Sequence, residues 1–257
     1  MPESVTTEGE HNLALWQGAW IAALVTGVIT WGLILYACWR FRRRNKDEIP
    51  VQTRYNLPLE IFYTIAPVLM CIVFFTHTVK AQNAMLDESN VTNTIEVTAQ
   101  QWSWTFNYGL GERDASADDF TSIQKEFPYS EYVYYAGTAS DIPTIWLPVG
   151  VSTRFNLHSP DVIHDFGVPA FHMRMDVVPG RVNHYAVTPT KIGTYAGKCY
   201  ELCGVSHSRM LFNVKVVSQA DYDAYLEELK AENGVVDAPL LGGSDAITQA
   251  GLKGEHQ

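Results

Sequence analysis

Residues 12–39 carry no charged side chain. That run exceeds the roughly 20 residues needed to cross a bilayer core. A second apolar run, rich in Ile, Val, Phe and Leu, covers about 59–79 and contains Pro67. The pattern predicts a hairpin of two membrane-spanning helices, over about 14–39 and 59–79. A proline is tolerated in such a helix where neighbours satisfy the freed carbonyl. From residue 94 the period changes. Ile95, Val97 and Ala99 alternate, and Trp102, Trp104 and Phe106 continue on the opposite parity. The slip near Gln100 and Gln101 reads as a β-bulge. Short apolar runs follow at 144–149, 151–157, 162–168, 181–188, 192–198 and 210–217, punctuated by Pro148, Gly150, Pro160, Pro169, Pro179, Gly180, Pro189 and Gly193. Short strands with regular turn signals predict a sandwich or Greek-key barrel. Ser218 followed by Asp221 resembles a capping box, and Tyr222, Tyr225, Leu226 and Leu229 keep helical spacing, predicting a helix over about 219–230.

Two stretches resist periodic reading. Residues 109–141 run acidic and then tyrosine-rich, which reads as an insertion between early strands. It is either a surface flap or a contact with another protein. The stretch from 231 is rich in Gly, Ala and Asp and reads as a flexible tail. The chain therefore divides into an N-terminal segment and hairpin (1–90), a β domain (91–230) and a tail (231–257).

Charge gives the hairpin a direction. Residues 40–54 hold Arg40, Arg42, Arg43, Arg44, Lys46 and Arg54 against Asp47 and Glu48. The positive-inside rule places this short loop in the cytoplasm, so the N-terminus and everything after residue 80 lie on the outer face. Such an arginine-rich turn disfavours the alternative of a buried hairpin in a soluble core. Net charge over the whole chain is -10, and residues 80–257 hold 22 acidic against 12 basic side chains. That balance disfavours nucleic acid and favours a basic partner.

The chemistry concentrates in Cys199-Tyr-Glu-Leu-Cys-Gly-Val-Ser-His-Ser-Arg-Met210. Thiolates with imidazole suit copper, zinc or iron–sulfur, and a weak axial methionine points to copper electron transfer. Zinc rarely recruits methionine. Two cysteines permit both sulfurs to bridge two copper ions, which then requires a second histidine from elsewhere. The alternative is a disulfide in an exported domain. Spacing alone leaves His158, His164, His172 and His184 as candidates. Cys38 and Cys71 lie in apolar runs and read as small hydrophobes. Strands with a copper loop predict a cupredoxin-like barrel beyond the hairpin.

The Cys-x-Glu-x-Cys-x3-His-x2-Met string resembles the binuclear copper (CuA) loop of subunit II of the haem–copper cytochrome c oxidases, and the likeness extends from about residue 14 to about 229. The resemblance implies that Cys199 and Cys203 bridge two copper ions. It implies His164, within Ser159-Pro-Asp-Val-Ile-His164, and Met210 as terminal ligands to one copper. His207 and the Glu201 carbonyl serve the other. The Glu201 side chain would face a magnesium or manganese ion shared with subunit I. Gln101-Trp102-Ser-Trp104 resembles the family's aromatic stretch, with Trp102 as the residue that takes electrons from cytochrome c and Trp104 as core. Asp161 and Asp165 read equally as docking charges or solvated turn residues. Asp176-Val-Val-Pro-Gly-Arg181 resembles a segment near the subunit I interface. Pro58-Leu-Glu60-Ile61 resembles the segment whose glutamate lies at the mouth of a proton channel, although an acid in a first helical turn also suits the helix dipole.

The implied whole is the electron-accepting subunit of an aa3-type, proton-pumping oxidase. It would sit in a bacterial cell membrane with subunits I and III, and its donor would be cytochrome c or a membrane-anchored cytochrome c domain. A nitric or nitrous oxide reductase, a quinol oxidase subunit and a copper storage or delivery module are the alternatives. Nitrous oxide reductase normally lacks the hairpin, and the quinol oxidase subunit keeps it but lacks the copper ligands.

Overall fold

The computed structural model describes the chain except for residues 46, 48, 119–125, 139 and 243–257. Two compact units result: His11–Ala84, and Met1–Glu10 together with Met85–Gln257.

The first unit is a helical hairpin. Helix α1 runs Thr7–Arg40 and α2 runs Leu57–Met85, enclosing both predicted spans. Glu8 and Glu10 in the first turn of α1 and Arg40 in its last complement the helix dipole. The Asn56 side chain accepts from Leu59 N at 3.3 Å, and Glu60 accepts from Asn56 N at 2.9 Å, a reciprocal cap at the start of α2. Both helices are long and apolar enough to cross a membrane, and their apolar windows are 0% buried. They are therefore not core helices of a soluble fold, and the chain is a membrane protein.

The second unit is an all-β, cupredoxin-like sandwich. Its strands are β1 (Asn93–Gln100), β2 (Ser103–Leu110), β3 (Glu131–Ala136), β4 (Thr144–Pro148), β5 (Thr153–His158), β6 (His164–Val168), β7 (Met173–Val177), β8 (Asn183–Val187), β9 (Gly193–Cys199) and β10 (Leu211–Val217). One sheet has the order β3-β2-β1-β5-β8 and the other β4-β10-β9-β6-β7. The pairs β1/β5 and β4/β10 are parallel, so the chain crosses between sheets in the Greek-key manner. Aromatic rings fill the space between them. Phe166 stacks on Phe212 at 4.6 Å, and Trp104 meets both rings edge-on at 5.4 and 5.2 Å. Helix α3 (Gln219–Asn233) starts at Ser218, whose hydroxyl accepts from Asp221 N at 3.2 Å. It closes one side of the sandwich by stacking Tyr225 on Trp146 at 4.3 Å.

Four expectations need correction. Gln101 and Trp102 form a two-residue turn rather than a bulge, because Gln100 pairs with Ser103 across a hairpin. Chain reversal accounts for the change of parity. The predicted insertion holds the end of β2 and all of β3, an edge strand whose Tyr132 and Val133 are buried; its residues 119–125 lie outside the described residues. Strand β7 is an addition to the expected set, although Met173-Arg-Met-Asp-Val177 does alternate apolar and charged residues; at five residues the run is too short to stand out beside its neighbours. The start of the tail is tied down: Val236 exchanges hydrogen bonds with Tyr132 at 2.8 and 2.9 Å, and Leu240 bonds Asn107 and Thr98. The expected flexibility of 243–257 falls outside the described residues.

That strap helps explain why both faces of β1 are buried. Glu96 is 0% exposed there, accepting from Asn156 Nδ2 at 2.8 Å and meeting His158 Nε2 at 2.6 Å. Removing one partner of a buried polar cluster leaves the others desolvated and unpaired. Glu96→Ala is expected to lower stability by about 3 kcal/mol, read as a reduced denaturant midpoint at unchanged m-value. An unaltered midpoint would show that the cluster contributes nothing.

Candidate metal centre

The sulfur-rich loop connects β9 to β10, and their pairing brings its two ends together: Cys199 N donates to Met210 O at 3.1 Å. Cys199 ends β9, Cys203 lies midway along the loop, His207 opens the short 3-10 turn His207–Arg209, and Met210 follows it just before β10. His164, at the start of β6, arrives from the neighbouring strand, since β6 pairs with β9. The backbone thus converges the donors. Cys199 Sγ lies 3.8 Å from Cys203 Sγ and 3.9 Å from His164 Nδ1. Cys203 Sγ lies 3.5 Å from His207 Nδ1 and 3.7 Å from Met210 Sδ. The Glu201 carbonyl is 3.2 Å from Cys199 Sγ, whereas the Glu201 side chain is exposed. Both cysteines are free thiols and buried, as are His164 and Met210.

Two sulfurs, two imidazole Nδ1 atoms, a thioether and a carbonyl facing one small volume fit a pair of soft metal ions. The titration of the thiols points the same way. Burial opposes ionisation of Cys199, but the His164 ring and backbone donors outweigh it and lower its pKa. Burial, reinforced by the charge of Cys199, pushes Cys203 up to about 12. A bound cation replaces that repulsion with attraction, so metal binding deprotonates both.

His158, His172 and His184 engage elsewhere: Glu96, the carbonyls of Pro2 and Gly9, and Glu88. Trp104 is buried in the core, as expected. Trp102 is half-buried in the β1–β2 turn and donates its indole N–H to Cys203 O at 3.1 Å. Gly204, at φ 122°, lies against that turn; a Cβ there would stand 3.0 Å from both Gln101 Nε2 and Trp102 Cζ2. Glu60 lies in the other unit, in the first turn of α2.

Neither aspartate is a fully solvated turn residue: Asp161 is half-buried and Asp165 buried. Asp161 accepts from Gln101 N (2.7 Å), Val162 N (2.6 Å) and His164 Nε2 (2.9 Å). Burial alone would raise its carboxyl, but these donors hold it below the ordinary value. For His164 burial works downward, and Asp161 with Cys199 overcomes it and raises the ring pKa. Asp165 is 4% exposed, with Arg174 3.9 Å away. The contacts of Gln101 and Asp161 were not anticipated; their positions beside Trp102 and three before His164 were the available signal.

The chain is similar to known proteins over most of its length. The family profile for cytochrome c oxidase subunit II, periplasmic domain, matches residues 93–217. A probable cytochrome c oxidase subunit 2 of Streptomyces avermitilis is 46% identical over 93% of this chain and 82% of its own length. The cytochrome c oxidase subunit 2 of Mycobacterium tuberculosis is 34% identical over 88% of this chain and 74% of its own. The crystal structure of the periplasmic domain of subunit II of cytochrome oxidase from Bradyrhizobium japonicum aligns at 26% identity with a TM-score of 0.42, covering 55% of this chain and 94% of that one.

Burial pushes the Asp165 carboxyl up to about 6, with Arg174 opposing and Asp176 adding to the rise. A folded-state pKa raised above the unfolded one means that the fold prefers the protonated acid. Stability is therefore lost as pH rises from about 4 through 6, and the full penalty applies above that. Asp165→Asn removes the penalty. It is expected to stabilise the protein by about 2–3 kcal/mol at pH 8 and by about a third of that near pH 4.5. Thermal unfolding at the two pH values checks this; a pH-independent gain would contradict it.

Proposed function

Because this chain belongs to the cytochrome c oxidase subunit II family, we propose that it is the electron-accepting subunit of a proton-pumping, aa3-type oxidase. It takes single electrons from cytochrome c at a binuclear copper centre and passes them to haem in subunit I, where oxygen is reduced to water. The observation that carries this reading is the convergence of two free, buried thiols, two imidazoles and a thioether on one site.

Cys199 and Cys203 would bridge the two copper ions. His164 and Met210 would complete one, His207 and the Glu201 carbonyl the other. Copper bound there supplies a one-electron couple shared over two metals and two sulfurs. The protein's part is to hold the donors still: β9, β10 and β6 fix the ligand segments, and Trp104 packs beneath with its ring 6.3 Å from that of His164. Small displacement of ligands on gaining or losing an electron follows from that rigidity. Trp102 would be the point of electron uptake, since its indole is hydrogen-bonded to the Cys203 carbonyl. The exposed Glu201 carboxylate, a hard donor, suits a magnesium or manganese ion shared with subunit I.

Glu60 would stand at a proton-channel entrance into subunit I, besides capping Asn56. The arginine-rich loop between the helices supports a bacterial cell-membrane location with the β domain and N-terminus outside. Subunits I and III and membrane lipid would surround the hairpin. The acidic outer domain suits a basic donor, either cytochrome c or a membrane-anchored cytochrome c domain.

The purified oxidised protein is expected to bind two copper ions per chain and to show electron paramagnetic hyperfine splitting shared over two copper nuclei. A one-copper pattern, or zinc in the site, would falsify the assignment. Trp102→Phe is expected to keep both coppers and slow reduction by cytochrome c about tenfold or more; an unchanged rate would remove Trp102 from the path.

A further inference from the structure

The β1–β2 turn does more than present Trp102. Its Gln101 side chain donates to Cys203 O at 2.7 Å, beside the 3.1 Å bond from Trp102 Nε1 to the same oxygen. A carbonyl has two lone pairs, so this one has a donor for each. The main-chain N–H of Gln101 donates to one carboxylate oxygen of Asp161, at 2.7 Å. The other oxygen of Asp161 accepts from His164 Nε2 at 2.9 Å and Val162 N at 2.6 Å. One carboxylate and one carboxamide therefore tie together three segments distant in sequence: the β1–β2 turn, the start of β6 and the cysteine loop. Gly204 suits the same contact: its φ of 122° strains any side chain, and a Cβ would stand 3.0–3.1 Å from Gln101 Nε2 and the Trp102 indole, close enough that these would have to shift.

We propose that Asp161 and Gln101 are positioning residues for electron transfer: Asp161 fixes the His164 tautomer and ring plane, and Gln101 locks the Trp102 turn to the cysteine loop. An ionised carboxylate only accepts, so the ring nitrogen facing it carries the hydrogen. Nε2–H at Asp161 makes Nδ1, the atom that faces Cys199 Sγ, the nitrogen that offers a lone pair once the ring is neutral. The ring plane is thus oriented for ligation by the protein itself. Outer hydrogen bonds of this kind orient metal-binding histidines and tune the site. Because Gln101 bonds both Asp161 and Cys203, displacement of the histidine side is felt at the carbonyl that also holds the indole. The inference rests on the copper reading above, except for the tautomer, which is a property of the protein alone.

The tests separate these dependencies. In copper-free protein, at a pH high enough for the ring to be neutral, 15N-resolved NMR of the histidine rings is expected to show the Nε2–H form for His164 in the wild type, and loss of that single form in Asp161→Asn. An Nδ1–H tautomer in the wild type overturns the proposal whatever metal the site binds. In the assembled oxidase, Asp161→Asn and Gln101→Leu are each expected to retain two coppers and alter the copper spectrum. Each should slow electron uptake about tenfold or more at saturating cytochrome c, with KM little changed. The double variant should be scarcely worse than either single one, since the two residues act as one unit. A normal spectrum with a raised, salt-sensitive KM would make Asp161 a docking charge instead and overturn the proposal. If Asp161→Asn fails to assemble, Gln101→Leu decides alone, and an unchanged spectrum and rate in that variant overturns it.

Discussion

Two buried sulfurs held 3.8 Å apart without being joined set the terms for the rest of the outer domain. Neither thiol has water to stabilise its charge, and ionising one penalises ionising the other. Such an arrangement persists only where the surrounding backbone has little freedom to move. Pairing of β9 with β10 closes the loop at both ends, and the β6–β9 pairing brings His164 alongside. The convergence of these donors is therefore a consequence of strand register. A one-residue slip would turn the donors to the opposite face.

Rigidity reaches the site from the aromatic core. Trp104 and Phe212 sit between the two sheets, with Phe166 stacked on Phe212, and the Trp104 ring also approaches that of His164. Close packing of flat rings leaves little space for a donor to shift. On the far side of the first sheet the solution differs. Polar side chains on β1 and β2 are covered by the chain beyond α3, and Glu96, His158, Asn107 and Asn156 find partners there. The sheet is thus buried on both faces, one apolar and one hydrogen-bonded, which suits a frame that must not flex.

Charge is divided as sharply as hydrophobicity. Basic residues gather in the turn of the hairpin, while the outer unit is acidic. The first supports an orientation in the membrane and the second an attraction for a basic donor. Asp161 and Asp165 contribute little to that surface, because both are withdrawn into the site's own hydrogen bonding and burial. The same residue types thus serve long-range steering where solvated and local geometry where enclosed.

Local information in the chain was enough for the hairpin, for eight of the strands, for the Ser218 cap and for the loop that gathers sulfur and imidazole. Each depends on neighbours within a dozen residues, where apolar period, turn chemistry and ligand spacing act directly. It was not enough for β3 and β7, whose membership depends on edge pairing with β2 and β6, nor for the strap at Val236 and Leu240, whose partners lie about a hundred residues or more away. Spacing left four histidines open; the fold brings His164 beside the sulfurs and gives His158, His172 and His184 other partners. Composition and period determined which elements form and which atoms can bind a soft metal. Tertiary packing alone decided which of those atoms meet, because convergence depends on register between strands far apart in the chain.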